Sequence, residues 1–209
     1  MSATTTSSER FWEPHYQKVE QSWGTRPNAA LAAAIDDLST VPARALDLGC
    51  GHGGDALWLA SNDWQVTAVD VSTTAVARVT ETAQRGELGK RVTAIQQDLA
   101  NGLPSGPFEL VYASYFHTPV AIDRDAIIGR AAGLLAPHGF LVAVDHASSA
   151  PWSWGDPNQT FPSAHETLTR FGCGEGLRVV RAETTWREAA GPGGQRAKVA
   201  DNIMVAQRV

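Results

Sequence analysis

Asp47 discriminates between ligand classes because it stands at the head of a glycine-rich loop. Four glycines fall within the six residues 49–54, GCGHGG, between an apolar run ending at Leu48 and a helical pattern. Glycine turns of this kind let a backbone approach a ligand closely, and phosphate, dinucleotide and sulfonium sites all use them. A phosphate-binding P-loop closes on Lys-Ser/Thr, whereas this loop continues Gly53-Gly54-Asp55-Ala56-Leu57, so that reading fails. A dinucleotide lays its pyrophosphate against the helix N-terminus, where backbone N–H groups and the dipole favour negative charge. Asp47, two residues before the first glycine, would set a carboxylate near that pyrophosphate and repel it. The same carboxylate suits a ligand carrying an ammonium group.

A ligand with an ammonium group and a ribose but no phosphate is S-adenosylmethionine. Here the sequence resembles the class I S-adenosylmethionine-dependent methyltransferases, whose first motif is an acidic residue followed by x-Gly-x-Gly-x-Gly. Asp47-Leu48-Gly49-Cys50-Gly51-His52-Gly53 matches it. The resemblance implies that Asp47, Gly49, Cys50 and Gly51 hold the amino-acid moiety of the cofactor. It implies that Asp70, ending the second strand, accepts from both ribose hydroxyls, a role a carboxylate fits chemically. Val71 would pack on the adenine, Leu99 would lie against the adenine end, and Asp98 would meet the adenine amino group. Ser114 would touch cofactor and Tyr115 substrate. The alternatives are a binding protein that senses S-adenosylmethionine without turnover, and a dinucleotide-dependent oxidoreductase on the same fold.

The acceptor is narrowed by missing motifs. Enzymes methylating exocyclic or amide nitrogen commonly carry Asn/Asp-Pro-Pro-aromatic after the fourth strand, where this chain reads Ala-Ser-Tyr-Phe. Neither Cys50 nor Cys173 follows a proline, as a cytosine C5 nucleophile would. Asp145-His146 is an incomplete match to a metal-dependent catechol site, so no metal is expected. Phe11-Trp12 and Trp23-Gly24-Thr25-Arg26-Pro27-Asn28 resemble the opening of small bacterial methyltransferases of the tellurite-resistance and thiopurine type. That resemblance implies a small-molecule acceptor with a soft nucleophile (sulfur, selenium or tellurium), and an N-terminal segment folded over the cofactor. His117 is the candidate general base, with His146 second. Trp23 is assigned to the cofactor, Trp152 and Trp154 to the acceptor pocket, Trp58 and Trp186 to packing, and His52 to solvent.

The elements that must position these residues follow from periodicity. Apolar runs at 43–49, 64–70, 91–98, 108–114 and 139–145 alternate with helical stretches, as in a parallel sheet covered on both faces. Ser72 reads as an N-cap and Gly86 as a stop for the helix between them; Pro137 and Gly139 should end the next. Two strand-like runs joined by AAGPGGQR close the chain as a hairpin. The expected fold is α/β, a Rossmann-like doubly wound seven-stranded sheet, mostly parallel with a C-terminal antiparallel hairpin. Residues 1–10 read as a mobile tail, and 11–209 as one domain with 11–35 as a cap. A net charge of -5 without a basic block argues against nucleic acid, and no apolar run reaches membrane-span length. Two cysteines and no secretory signal give a cytoplasmic default, as monomer or homodimer.

Overall fold

The computed structural model describes residues 6–20, 25–153, 156, 159–173, 176–191 and 193–209; Trp23 and Trp154 lie outside the described residues. Strands β1 (Arg44–Leu48), β2 (Gln65–Asp70), β3 (Val92–Gln96), β4 (Phe108–Ser114), β5 (Leu135–His146), β6 (Leu177–Ala190) and β7 (Arg196–Arg208) form one sheet. Its order is β3-β2-β1-β4-β5-β7-β6. The first five strands run parallel, and β7 lies antiparallel between β5 and β6. This is the doubly wound sheet with a terminal hairpin that the periodicity implies. Helices α3 (Gly54–Ser61), α4 (Thr73–Arg85), α5 (Arg124–Ala132) and α6 (Ala164–Arg170) connect the strands, and α1 (Ser7–Lys18) and α2 (Ala29–Asp36) precede them.

Helices on both faces explain the continuous apolarity of the inner strands. On one face Ala45, Val66, Ala68 and Tyr112 pack with Leu31, Leu59 and Val79. On the other, Leu46, Val69, Val111 and Leu141 pack with Ile127, Ile128 and Leu168. Burying a side chain such as Leu46 stabilises the fold by roughly 1.5–3 kcal/mol. Side chains alternate along a strand, so Asp47 shares the face of Ala45 and is buried there at 2% exposure. A carboxylate at a core position is costly, and its purpose has to be sought in the site.

Local signals explain most boundaries. Ser72 caps α4 by accepting from Ala75 N at 3.1 Å, and Gly86 is its C-cap. The next helix ends earlier than expected: α5 stops at Ala132 with Gly133 as C-cap. Pro137 and Gly139 lie inside β5, whose Leu135 pairs with Phe108 before the register shifts to Leu110↔Phe140. A short apolar run does not tell strand from helix, and sheet pairing decides this one. The N-terminal tail is also shorter than expected. Helix α1 begins at Ser7, its N-cap Thr6 accepts from Glu9 N, and Ser8 is buried. Trp58 packs at the core margin as expected, but Trp186 is 67% exposed because β6 is an edge strand. Among the described residues no helix is long and apolar enough to cross a membrane.

Candidate active site

The strand order reverses between β1 and β4: the chain runs outward from β1 through β2 to β3, then returns to β4 and continues to β5. Open α/β sheets bind ligands in the crevice at the carboxyl ends of the strands at such a point. Here that crevice collects the glycine loop after β1, Val71 after β2, Asp98 and Leu99 after β3, and Tyr115–His117 after β4. Two neighbouring cavities occupy it, and Gly49 and Tyr115 line both. The first is bounded by Ser8, Trp12, Asp70, Val71, Asp98 and Leu99. The second, the roomier of the two, is bounded by Arg26, Asn28, Asp47, Ser114 and Arg187 among others.

The glycine loop is held by Gly49 N and Cys50 N donating to Val69 O, each at 2.9 Å. Gly49 has φ +77°, and a Cβ there would lie 2.7 Å from the Phe116 ring; at Gly51, φ +53°, it would lie 3.0 Å from the Tyr16 hydroxyl. Side chains at these two positions would close the space between loop and roof.

Asp47 has one carboxylate oxygen, Oδ2, buried with no hydrogen-bond partner among the described residues. Burial, joined by the charges of Asp55 and Asp70, pushes its pKa well above the usual carboxylate range. An ammonium group would supply both the missing donor and the missing positive charge, so the residue fits the amino group of S-adenosylmethionine. Asp70 accepts from Ser72 N through Oδ1 at 2.9 Å and from Gly51 N through Oδ2 at 3.0 Å. Burial outweighs these bonds and pushes its pKa up to about 6. Each oxygen retains lone-pair capacity, enough for two ribose hydroxyls. The donor set fits the cofactor at both ends.

Of the residues expected from the sequence, Asp47, Gly49, Cys50, Gly51, Asp70, Val71, Asp98, Leu99, Ser114, Tyr115 and His117 line these cavities. His146 lines neither; it stacks on Tyr115 with ring centroids 4.1 Å apart, its Nδ1 3.6 Å from Asp201 Oδ1. Trp152 also departs from expectation, since it lies on the hairpin, where a Cβ at Gly191 would meet its ring at 2.6 Å. His52 is half-buried rather than solvent-facing, because Tyr16 of α1 lies over it with ring centroids 5.2 Å apart.

Four residues contribute that take no individual role from the sequence, although Asn28 and Trp12 lie in the segment expected to fold over the cofactor and Phe116 in the run after the fourth strand. Asn28 caps α2 through Ala30 N, donates from its own N to Asp55 Oδ1 at 2.6 Å, and donates from Nδ2 to Ser114 Oγ at 3.0 Å. An Asn before an alanine-rich run is an N-cap signature, so this one carries a sequence signal. Trp12 lines the first cavity and donates from Nε1 to Thr118 Oγ1 at 3.1 Å. Arg187 donates from Nε to the buried Asp201 at 2.5 Å and from Nη2 to the Tyr115 hydroxyl at 3.0 Å. Phe116 covers the glycine loop from the end of β4. Tyr115 beside it adopts φ +48°, a conformation that costs energy in a non-glycine residue.

His117 lies at the same mouth, its Nε2 3.5 Å from Asp145 Oδ1, and that oxygen also accepts from Arg124 Nη2 at 2.5 Å. Burial pushes the imidazole pKa down to about 4; Asp145 raises it, while Arg124 and His146 lower it further. His117 is therefore neutral at pH 7.

A carboxylate in β1 with an unanswered oxygen, a glycine cradle and a second carboxylate ending β2 fit S-adenosylmethionine at the switch point of a doubly wound sheet. The fold and the site are those of S-adenosylmethionine-dependent methyltransferases of class I, and a methyltransferase-domain family model matches residues 45–139. The chain is similar to thiocyanate methyltransferase 1 of Arabidopsis thaliana, 27% identical over 154 residues, covering 70% of this chain and 68% of that one. It is also similar to ribosomal RNA small subunit methyltransferase C of Alcanivorax borkumensis, 31% identical over 144 residues, 68% of this chain but 42% of that one. Two solved structures share the fold. The structure described for conversion of a disulfide bond into a thioacetal group in echinomycin biosynthesis has TM-score 0.73 and 19% identity, covering 96% of this chain and 92% of its own. TehB from Haemophilus influenzae has TM-score 0.66 and 17% identity, covering 97% and 67%.

Proposed function

We propose that the enzyme methylates a small acceptor whose nucleophile is soft and arrives ionised, a thiolate or its selenium or tellurium counterpart. One observation carries this reading. His117, the imidazole that follows β4 at the mouth of the cleft, has a carboxylate neighbour already committed to Arg124, and the other imidazole lining the described cavities, His52, is packed beneath Tyr16 in the glycine loop. His117 so placed is a weak base, poorly matched to an alcohol or phenol. A thiolate needs no base, because a thiol ionises appreciably near neutral pH.

S-adenosylmethionine supplies an electrophilic methyl group on a sulfonium. The chain contributes position and exclusion of water for in-line transfer. Asp47 and the glycine loop hold the amino-acid end, Asp70 the ribose, and Val71, Asp98 and Leu99 the adenine. Helix α1, with Trp12 and Tyr16, roofs the cleft, which leaves room for a small acceptor. Arg187, fixed by Asp201 and the Tyr115 hydroxyl, is a cation beside that acceptor. The names of two similar proteins, thiocyanate methyltransferase and the disulfide-to-thioacetal protein, both concern sulfur. A net charge of -5 supports a small-molecule rather than an RNA acceptor, and the ribosomal RNA relative is matched over less than half its length.

Two outcomes test this. Across thiols of different acidity, kcat/KM should rise with pH until the acceptor's own thiol is ionised, and phenols of similar shape should turn over poorly. A profile fixed by one enzyme group across the thiol series would contradict it. Arg187→Gln should raise KM for a mercaptocarboxylate about ten- to hundredfold, the usual loss for a charged hydrogen bond, with a smaller change for a neutral thiol. Equal changes for both acceptors would remove Arg187 from acceptor binding.

A further inference from the structure

We propose that Glu13 is a positioning residue that latches α1 across the cofactor cleft and, through Ser72, holds Asp70 oriented toward the ribose. The proposal rests on the cofactor assignment made above for Asp70.

Glu13 projects from α1 onto the N-terminus of α4. Its Oε2 accepts from Ser72 Oγ at 2.6 Å and Thr74 N at 3.1 Å; its Oε1 accepts from Thr74 Oγ1 at 2.5 Å and Gln17 Nε2 at 3.1 Å. Four donors on one side chain are more than a solvated surface glutamate gathers. Burial opposes the charge, but these bonds hold the carboxyl pKa down at about 2, so Glu13 is ionised at any working pH. A negative charge also suits a helix N-terminus.

Ser72 is fully buried and joins the latch to the site. While its hydroxyl donates to Glu13, its backbone N donates to Asp70 Oδ1 at 2.9 Å. Asp70 Oδ2 in turn accepts from Gly51 N, the glycine that lies under Tyr16 of the same α1. Helix α1 is thus tied to the cleft along its length: Trp12 to Thr118, Glu13 to Ser72 and Thr74, Tyr16 over Gly51, and Arg78 to Val19 O at 3.1 Å. Among these ties, the Glu13 contact alone reaches the ribose carboxylate through the hydrogen bonds of a single residue. Closing the helix and setting Asp70 are then one event.

The test compares wild type, Glu13→Gln and Thr74→Ala, titrated by calorimetry with S-adenosylhomocysteine and, across pH, with 5′-methylthioadenosine, which lacks the amino-acid group that Asp47 meets, with hydrogen exchange over residues 7–18. Glu13→Gln should weaken binding about tenfold, as losing a charged hydrogen bond does, and lower protection of α1. It should also move the acid limb of binding to lower pH. Asp70 is faced by Glu13 from α1, Tyr16 from α1, Cys50 from the loop and Asp47 from β1. Removing the Glu13 charge eases ionisation of Asp70, which a purely structural contact would not do. Thr74→Ala, which leaves the Ser72 link in place, should lower α1 protection with the limb unmoved. Wild-type affinity and protection in Glu13→Gln would overturn the latch. Weaker binding with an unmoved limb would overturn the link to Asp70. Failure of wild type to bind S-adenosylhomocysteine would instead overturn the cofactor assignment itself.

Discussion

Asp47→Asn should give a protein more stable than the wild type that holds S-adenosylmethionine poorly. The carboxylate is 2% exposed and has an unpartnered oxygen. Burial first, then the charges of Asp55 and Asp70, raise its pKa well above 3.8. A native pKa above the unfolded one means the folded state binds the proton more tightly. The associated stability is complete below about pH 4 and is lost as pH rises through the raised native value. At pH 7, above the unfolded value, the raised native pKa therefore works against folding. An amide of the same shape removes that penalty, a gain on the order of 1–2 kcal/mol and a few degrees in Tm. The same change removes the anion that answers the cofactor's ammonium, about ten- to hundredfold in affinity. 5′-Methylthioadenosine, which lacks the amino-acid group, should bind both proteins alike. Thermal melts and calorimetry with the two ligands decide it: a lowered Tm, or equal losses on both, would contradict the role given to Asp47.

Asp70→Ala should be less selective and more damaging. Asp70 accepts from Gly51 N and Ser72 N, so its loss frees the glycine loop and the start of α4 as well as the ribose. S-adenosylhomocysteine and 5′-methylthioadenosine should both weaken by about a hundredfold or more, as expected of roughly 3 kcal/mol. pH supplies an independent check. With its pKa at about 6, Asp70 is mostly ionised at pH 7 and is neutralised as pH falls. Wild-type affinity for 5′-methylthioadenosine, which bypasses Asp47, should therefore fall as pH drops through about 6. The Asp70→Ala protein should show no such limb. Its persistence in the variant would assign the titration elsewhere.

The residues proposed for the cofactor are brought together as the sequence implies, because they stand where strands end. Asp47, Asp70, Asp98 and Ser114 each close or follow an apolar run, and a doubly wound sheet brings those ends to one edge whatever the helices do. The surroundings proposed for the acceptor are not legible, because they depend on register and on packing between distant segments. Arg187 reaches Tyr115 only because β6 pairs with β7 so that Arg187 lies opposite Val199, near Asp201. Periodicity does not fix that pairing. Trp152 and Trp186 carry the same ambiguity: one meets a hairpin glycine and the other an exposed edge. His52 reads as solvent-facing because nothing local indicates that α1 crosses the loop. The earlier start of α1 has a signal, since Thr6 and Glu9 stand at capping spacing, and Ser8 and Trp12 reach the cavity because of it. The boundary between α5 and β5 is hidden in the run Ala131 to Ala136, apolar enough for either state.

The most direct test of the proposed activity follows a labelled methyl group. The intact protein is incubated with S-adenosylmethionine carrying a deuterated methyl, a small anionic thiol and, in a parallel reaction, ribosomal RNA. Products are weighed by mass spectrometry. The expected result is the labelled thioether and S-adenosylhomocysteine in equal amounts, with the RNA unlabelled. Label in the RNA, with none in any thiol, selenol or tellurium acceptor, would contradict it.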